Sequence, residues 1–316
     1  MAKIRIGIDG TGVICHQHYN AFAANPDVEI VGLCTHSNIS KLHEMCGSWG
    51  VRAFGSFSEM ASSPDIDAIV IASINSDHPA HIREATANKK HLLIEKPVLT
   101  DPELFDDICA DADRQGIILF PGHNFAYRPE LNKAKEIVLS GEIGQTCYVS
   151  FVATHLIAPQ RAAGWRGDSS LSGGGALMDS GFHLVYQMAH LKGYPKDVFG
   201  YCSSIVRKDT LVEDTALVSV RYSDGTLGNV LQIWSSAHGS AVSGIHVVGT
   251  QGELHITDAL YLNGDRLMEA STYADTFRYQ AEAFAAAIKS GTGPLSTMDD
   301  AKRCLELILH AYQGDR

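Results

Sequence analysis

The chain has 316 residues, 45% hydrophobic and 19% charged, with a formal net charge of −11. That length and composition support a globular core, in two domains or one large one. The acidic balance excludes nucleic acid and anionic membrane as main partners, since both demand a basic face.

Met1-Ala2-Lys3-Ile4-Arg5 runs straight into a strand pattern, and no apolar run is long enough to span a bilayer. Neither a signal peptide nor a membrane span is therefore expected. The seven cysteines, at 15, 34, 46, 109, 147, 202 and 304, are odd in number and lack C-x-x-C spacing. They read as reduced thiols in a cytoplasmic protein, without a zinc site.

Ile4–Ile8 reads as a strand and Val13–Ala24 as a helix; Val28–Cys34 is a strand, with a helix near Ile39–Cys46. Strand Ala68–Ala72, helix Pro79–Asn88, strand Leu92–Glu95, helix Pro102–Gln115 and strand Ile117–Phe120 follow. Short apolar runs alternating with amphipathic helices imply βαβ units around a doubly wound parallel sheet. After Pro121 the pattern changes. Helix Leu131–Leu139 precedes strand Cys147–Thr154, a glycine-rich loop and a helix from about Ala176 to Leu191. Alternating runs at Thr215–Tyr222, Thr226–Trp234, Gly244–Gly249 and Glu253–Thr257 predict antiparallel hairpins. Helices near Tyr273–Ser290 and Met298–Tyr312 close the chain. The predicted fold is α/β: residues 1–122 form a nucleotide-binding domain and 123–316 an α+β domain with an open, mostly antiparallel sheet. The closing helices are candidates to pack back on the first domain.

Gly10-Thr11-Gly12 lies between the first strand and the first helix, which Val13 and Ile14 open. In that setting Gly10 makes a tight turn and Gly12 admits a pyrophosphate to the helix N-terminus, or the pair is an ordinary βα turn. Cys15 stands where a third glycine is usual, and Asp9 stands where an apolar residue is usual. An ionised Asp9 would weaken pyrophosphate binding unless it is paired or points away. Strand two ends in Cys34-Thr35-His36-Ser37-Asn38, with no acid to accept the adenosine ribose hydroxyls. Thr35, His36 and Ser37, with Lys41, either surround a 2′-phosphate, favouring NADP over NAD, or form a plain polar loop.

Glu95-Lys96-Pro97 ends an apolar strand. Proline stops the ladder there, so Lys96 sits on a short turn and either meets a ligand or is solvated. Asp179 and His183 follow the run Gly173-Gly174-Gly175 four residues apart, on one face of a helix. They read as a general base with its orienting carboxylate, or as a structural pair; no further ligands accompany them to hold a metal.

These motifs together resemble the glucose–fructose oxidoreductase / inositol dehydrogenase / rhizopine-catabolism (Gfo/Idh/MocA) family over essentially the whole chain. The resemblance also rests on Asn75 and His78, Gly122-His123-Asn124, Pro129, Gly141-Glu142-Ile143-Gly144, Trp165-Arg166 and Gly249-Thr250-Gln251-Gly252. It implies a Rossmann domain and an NAD(P)-dependent dehydrogenase acting on hydroxyls of sugars, inositols or related polyols. By resemblance, Lys96 hydrogen-bonds the reacting oxygen, His183 accepts its proton and Asp179 fixes the substrate or the histidine. Ser73, Asn75, His78, Glu95, Pro97 and Asn124 fall at the cofactor, and Trp165 and Arg166 at the substrate. A homodimer or homotetramer through the second sheet is likewise implied. Three positions depart from the family pattern: Tyr186 replaces a frequent acid, Ile74 a frequent proline, and Phe125-Ala126 a frequent arginine. A redox-assisted glycosidase and a non-catalytic metabolite sensor remain as alternative readings.

Overall fold

The computed structural model describes residues 2–314; Met1, Asp315 and Arg316, at the ends of the expected domains, lie outside them. Two compact units emerge. One takes the chain up to Asn124 together with Tyr273–Ala301, and the other takes Phe125–Thr272 and the chain from Lys302 onward.

The first unit is built on six parallel strands: β1 (Ile4–Asp9), β2 (Val28–Cys34), β3 (Arg52–Ala53), β4 (Ala68–Ile71), β5 (His91–Ile94) and β6 (Leu119–Pro121). Their order is β3-β2-β1-β4-β5-β6, so the chain reverses direction across the sheet between β1 and β4. A dinucleotide-binding sheet has this order, and its ligand crevice opens where the direction reverses. Ile69, Val70, Leu92, Leu93 and Ile94 are fully buried, because helices cover both faces. The turns are fixed locally. The Asn38 side chain caps helix Ile39–Trp49 by accepting from Lys41 N at 3.0 Å, and Gly50 ends that helix in the left-handed conformation. Helix Tyr273–Ser290 belongs to this unit: Phe284 meets Phe120 at 5.3 Å and Phe22 at 6.2 Å between ring centroids.

The second unit carries eight strands: β7 (Thr146–Thr154), β8 (Asp197–Ser203), β9 (Thr215–Arg221), β10 (Leu227–Ile233), β11 (Gly244–Gly249), β12 (Glu253–Ile256), β13 (Ala259–Leu262) and β14 (Asp265–Glu269). The order is β14-β13-β12-β11-β7-β10-β9-β8. All neighbours are antiparallel except β7 and β10, which pair parallel. One face buries Val149, Phe151, Val218, Val230, Val247 and Leu254; the other exposes Tyr148, Tyr201, Leu217 and Leu227. Strands β3, β8, β13 and β14 escape a periodicity reading. β3 has two residues, β14 has almost no buried side, and the one buried position of β8 is Gly200, which offers no side chain to the pattern. A Cβ at Gly200 would come 2.5 Å from the Ala311 carbonyl oxygen. No helix among the described residues is long and apolar enough to cross a membrane.

Gly10 links β1 to the first helix with φ +106°, and a Cβ there would lie 2.5 Å from the Ala72 carbonyl oxygen. Gly10→Ala should therefore destabilise the protein by roughly 2 kcal/mol through backbone strain and the clash. A thermal melt with the wild-type midpoint would contradict this.

Candidate active site

In the first unit the strand ends bring a set of polar groups to one edge of the sheet. Gly10 is buried, whereas Gly12 is exposed, and a Cβ on Gly12 would meet nothing within 4 Å. The backbone there is open to a ligand at the start of helix Val13–Ala23, as a pyrophosphate requires. Thr11 is buried, Val13 exposed and Ile14 half-buried. Cys15 is wholly buried, and burial pushes its thiol up to about 12, so a small uncharged side chain fills the third-glycine position.

Asp9 is paired. Its Oδ2 lies 2.8 Å from His81 Nδ1, and its Oδ1 accepts from Cys34 Sγ at 3.4 Å. Burial disfavours charge on His81, but the hydrogen bond and attraction of Asp9 outweigh it and raise its pKa. Phe57 stacks on the imidazole at 3.9 Å. At the end of β2, Thr35 is buried and bonds Ser37 between hydroxyls at 3.3 Å. His36 is exposed, with Nδ1 3.5 Å from Asp77. The structure thus brings an acid beside this loop that β2 itself does not carry.

Lys96 leaves β5 at this same edge, half-buried, and its bond to Pro97 is cis. Two histidines hold the turn. His18 Nε2 lies 2.8 Å from Glu95 Oε1, while Glu95 Oε2 accepts the Lys96 N–H at 3.3 Å. His78 is fully buried, and burial lowers its pKa. The imidazole is neutral, and its Nδ1–H donates to the carbonyls of Pro97 at 3.1 Å and Val98 at 3.2 Å. Both Glu95 and His78 therefore shape the lysine turn. Asn75 is buried, and Ser73, half-buried, lies 3.4 Å from His81 Nδ1. Asn124 donates from Nδ2 to Thr276 Oγ1 at 2.6 Å, and its backbone N–H reaches the Gln280 amide oxygen at 3.2 Å. Neighbouring His123 is buried beside Ser296, and burial drives its pKa down to about 3.

In the second unit the glycine run has a different use from ligand approach. A Cβ on Gly174 would collide with the Tyr312 hydroxyl, and one on Gly175 with the Glu213 carbonyl. The Glu213 carboxylate accepts from Gly175 N at 3.0 Å, Leu177 N at 2.9 Å and Tyr312 OH at 2.8 Å. Burial raises its pKa despite these bonds. Leu177–Gly181 then forms a π turn, closed by Gly181 N donating to Ala176 O at 2.8 Å, before the α-helix Phe182–Lys192 begins. Trp234 braces the turn by donating to Ser180 Oγ at 2.8 Å.

Asp179 stands on that turn, with Oδ2 accepting from Arg166 Nε at 3.3 Å. The Arg166 guanidinium lies 4.2 Å above the Trp165 ring. The expected substrate residues Trp165, Arg166 and Asp179 are thus one cluster. His183 is half-buried, edge-on to Phe125 at 5.1 Å, with Nδ1 2.9 Å from Tyr186 OH. Asp179 Oδ2 faces Arg166, the Tyr186 phenol stands against the His183 ring, and the π turn lies between the two positions.

Residues 4–123 match the model of an oxidoreductase family with an NAD-binding Rossmann fold, and residues 131–255 match the GFO/IDH/MocA C-terminal domain. The chain belongs to the GFO/IDH/MocA oxidoreductase family. It is 25% identical to a myo-inositol 2-dehydrogenase of Thermotoga maritima over 96% of this chain and 94% of that one. A trans-1,2-dihydrobenzene-1,2-diol dehydrogenase of Mus musculus is 25% identical over 83% of this chain and 79% of the relative. Among solved structures, levoglucosan dehydrogenase with NADH and levoglucosan superposes with a TM-score of 0.89 at 19% identity, covering 99% of this chain and 97% of that one. The WlbA dehydrogenase from Bordetella pertussis, with NADH and UDP-GlcNAcA, gives 0.86 at 23% identity, covering 100% and 96%. The expected membership and the two-sheet architecture are both borne out.

The Asp9–His81 pair generates a stability prediction. A raised histidine pKa contributes stability below the unfolded value of 6.5, and that contribution fades as pH rises through the folded value. His81→Leu should cost about 3 kcal/mol at pH 6, since it leaves Asp9 buried without its partner. The gap from wild type should narrow in alkaline buffer. Urea titrations at several pH values check this; a gap that widens with pH contradicts it.

Proposed function

We propose that this oxidoreductase removes hydride from a secondary hydroxyl of a sugar, inositol or related polyol and passes it to a nicotinamide cofactor. The observation that carries the reading is Lys96, a cation held on a braced turn at the sheet edge where the open Gly12 backbone meets a helix N-terminus. The residues there fit a dinucleotide. Gly10, Thr11 and Gly12, with Val13 and Ile14, would face the pyrophosphate. Ser73, Asn75, Glu95, Pro97 and Asn124 would line or shape the nicotinamide side. When bound, the cofactor supplies the hydride acceptor. Lys96 donates a hydrogen bond to the reacting oxygen and stabilises the alkoxide that develops on it. His183 takes the hydroxyl proton at Nε2, the ring nitrogen opposite the one facing Tyr186. Asp179 and Arg166 hold neighbouring hydroxyls by charge-assisted bonds, with Trp165 as an apolar wall.

A panel of sugars and inositols, followed by absorbance of the reduced cofactor, tests the reading. Net NAD(P)H production supports a dehydrogenase; turnover that releases a sugar without net reduction would point to a redox-assisted glycosidase. In Lys96→Met and His183→Asn, kcat should fall by about 10²-fold or more while cofactor affinity stays within a few-fold. Full activity in either variant removes the role assigned to that residue.

NADP is the proposed preference, supported by the hydroxyls of Thr35 and Ser37 and by the exposed imidazole of His36 beside them. Fluorescence titration should give tighter binding of NADPH than of NADH, and the reverse order overturns the preference. Exposed Tyr148, Tyr201, Leu217 and Leu227 on one sheet face support pairing of two copies, and the scattered thiols support a cytoplasmic setting.

A further inference from the structure

We propose that the buried Asp9–His81 pair makes dinucleotide binding proton-linked: the pair holds a proton from solvent while a pyrophosphate is bound, and the dinucleotide leaves more readily once that proton is lost. The proposal rests on the reading of this edge as a dinucleotide site and goes beyond it to what the buried acid does there.

The pair lies where the ligand crevice opens. Asp9 ends β1, and His81 stands on helix His78–Ala87, which follows β4. The chain reverses direction between these two strands. The Asp9 carbonyl accepts from Ala72 N at 2.9 Å, and the next residue, Gly10, donates to Cys34 O at 2.9 Å. The Ser73 hydroxyl, on the loop after β4, lies 3.4 Å from the same His81 nitrogen that meets Asp9 at 2.8 Å. The Asp9 side chain is 3% exposed and that of His81 16%. The acid is shut off from water, whereas the imidazole can exchange its proton with solvent.

Charge decides the sign. With its proton the pair is neutral overall. Without it the pair carries one negative charge, wherever between carboxylate and ring the proton had been. That charge stands one residue before the turn whose open backbone would face a dianionic pyrophosphate. Out of water it is poorly screened, so the dinucleotide favours the protonated pair. By linkage, binding then raises the His81 pKa further. The surroundings act in the same direction. Asp77, at the start of the His81 helix, and Glu84, one turn on, add to Asp9 in favouring charge on the ring. Helix Phe57–Ser62 presents the uncharged Phe57 ring to it. Burial keeps the Cys34 and Cys15 thiols and the His78 imidazole uncharged near Asp9. His36 beside Asp77, and the His18–Glu95 pair, are the further imidazoles of this edge that the test must separate.

Fluorescence titration of the full chain with NADH, whose pyrophosphate keeps its charge from about pH 6.5 to 9, tests the proposal. Wild type should bind about tenfold more weakly at the alkaline end, the ratio that accompanies a one-unit change in a pKa. Calorimetry in two buffers of different ionisation enthalpy should show proton uptake on binding within the fall. These two measurements stand without any variant. Asp9→Asn should bind as tightly in alkaline as in neutral buffer, with the uptake gone. His81→Asn keeps a donor for Asp9 but has no proton to lose, so it should bind weakly and evenly across the range. A wild-type affinity independent of pH, or proton release on binding, overturns the proposal. So does a fall that persists in Asp9→Asn, since it then belongs to His36 or to the His18–Glu95 pair. NADH that binds at no pH overturns the dinucleotide reading as well.

Discussion

Parallel pairing of its strands is the constraint on which the nucleotide-binding half of this protein depends. Because β1, β2, β4, β5 and β6 all run the same way, their chain ends must leave the sheet at one edge. Gly10, Thr35, Ser73, Lys96 and Asn124 are spread over more than a hundred residues of sequence, yet each follows a strand end there. Backbone groups at that edge have no ladder partner and must find one. Side chains supply several: Glu95 for the Lys96 amide, His78 for the Pro97 carbonyl, and Gln280 for the amides of His123 and Asn124.

The second unit reaches a comparable rigidity by another route. A buried carboxylate, Glu213, replaces water as the partner of two amides in the glycine run. Any side chain at Gly174 or Gly175 would displace Tyr312 or Glu213. The π turn that follows inserts an extra residue into the helix, and it presents Asp179 to Arg166 while His183 faces Tyr186.

Much of this was readable from residue order. Lys96 stands out because a cation at the end of an apolar strand is unusual, and Asp179 and His183 because glycines precede them. The alternation of short apolar runs predicts the parallel sheet. What could not be read were the partners. Asp9 meets His81 across 72 residues, Glu95 meets His18 across 77, and Asn124 meets Thr276 across 152. No local pattern marks such pairs, since each is made by a crossover or by the return of the Tyr273–Ser290 helix. Asp9 illustrates the limit: sequence flags the charge as a problem for pyrophosphate binding, and only the fold supplies the histidine that offsets it. Nor does the glycine run announce that Glu213 and Tyr312 pack against it. Asp77 near His36 was hidden for the same reason, lying on the loop after β4 and not on β2.

The cysteine in the dinucleotide turn has a consequence for chemical resistance. A thiol as deeply enclosed as Cys15, with ionisation pushed far above neutral pH, offers almost no thiolate to peroxide or to alkylating reagents. Cys147, by contrast, is exposed on β7. Oxidants and maleimides should therefore mark the start of β7 long before they reach the nucleotide turn. A fluorophore attached at Cys147 would leave the cofactor-binding backbone untouched.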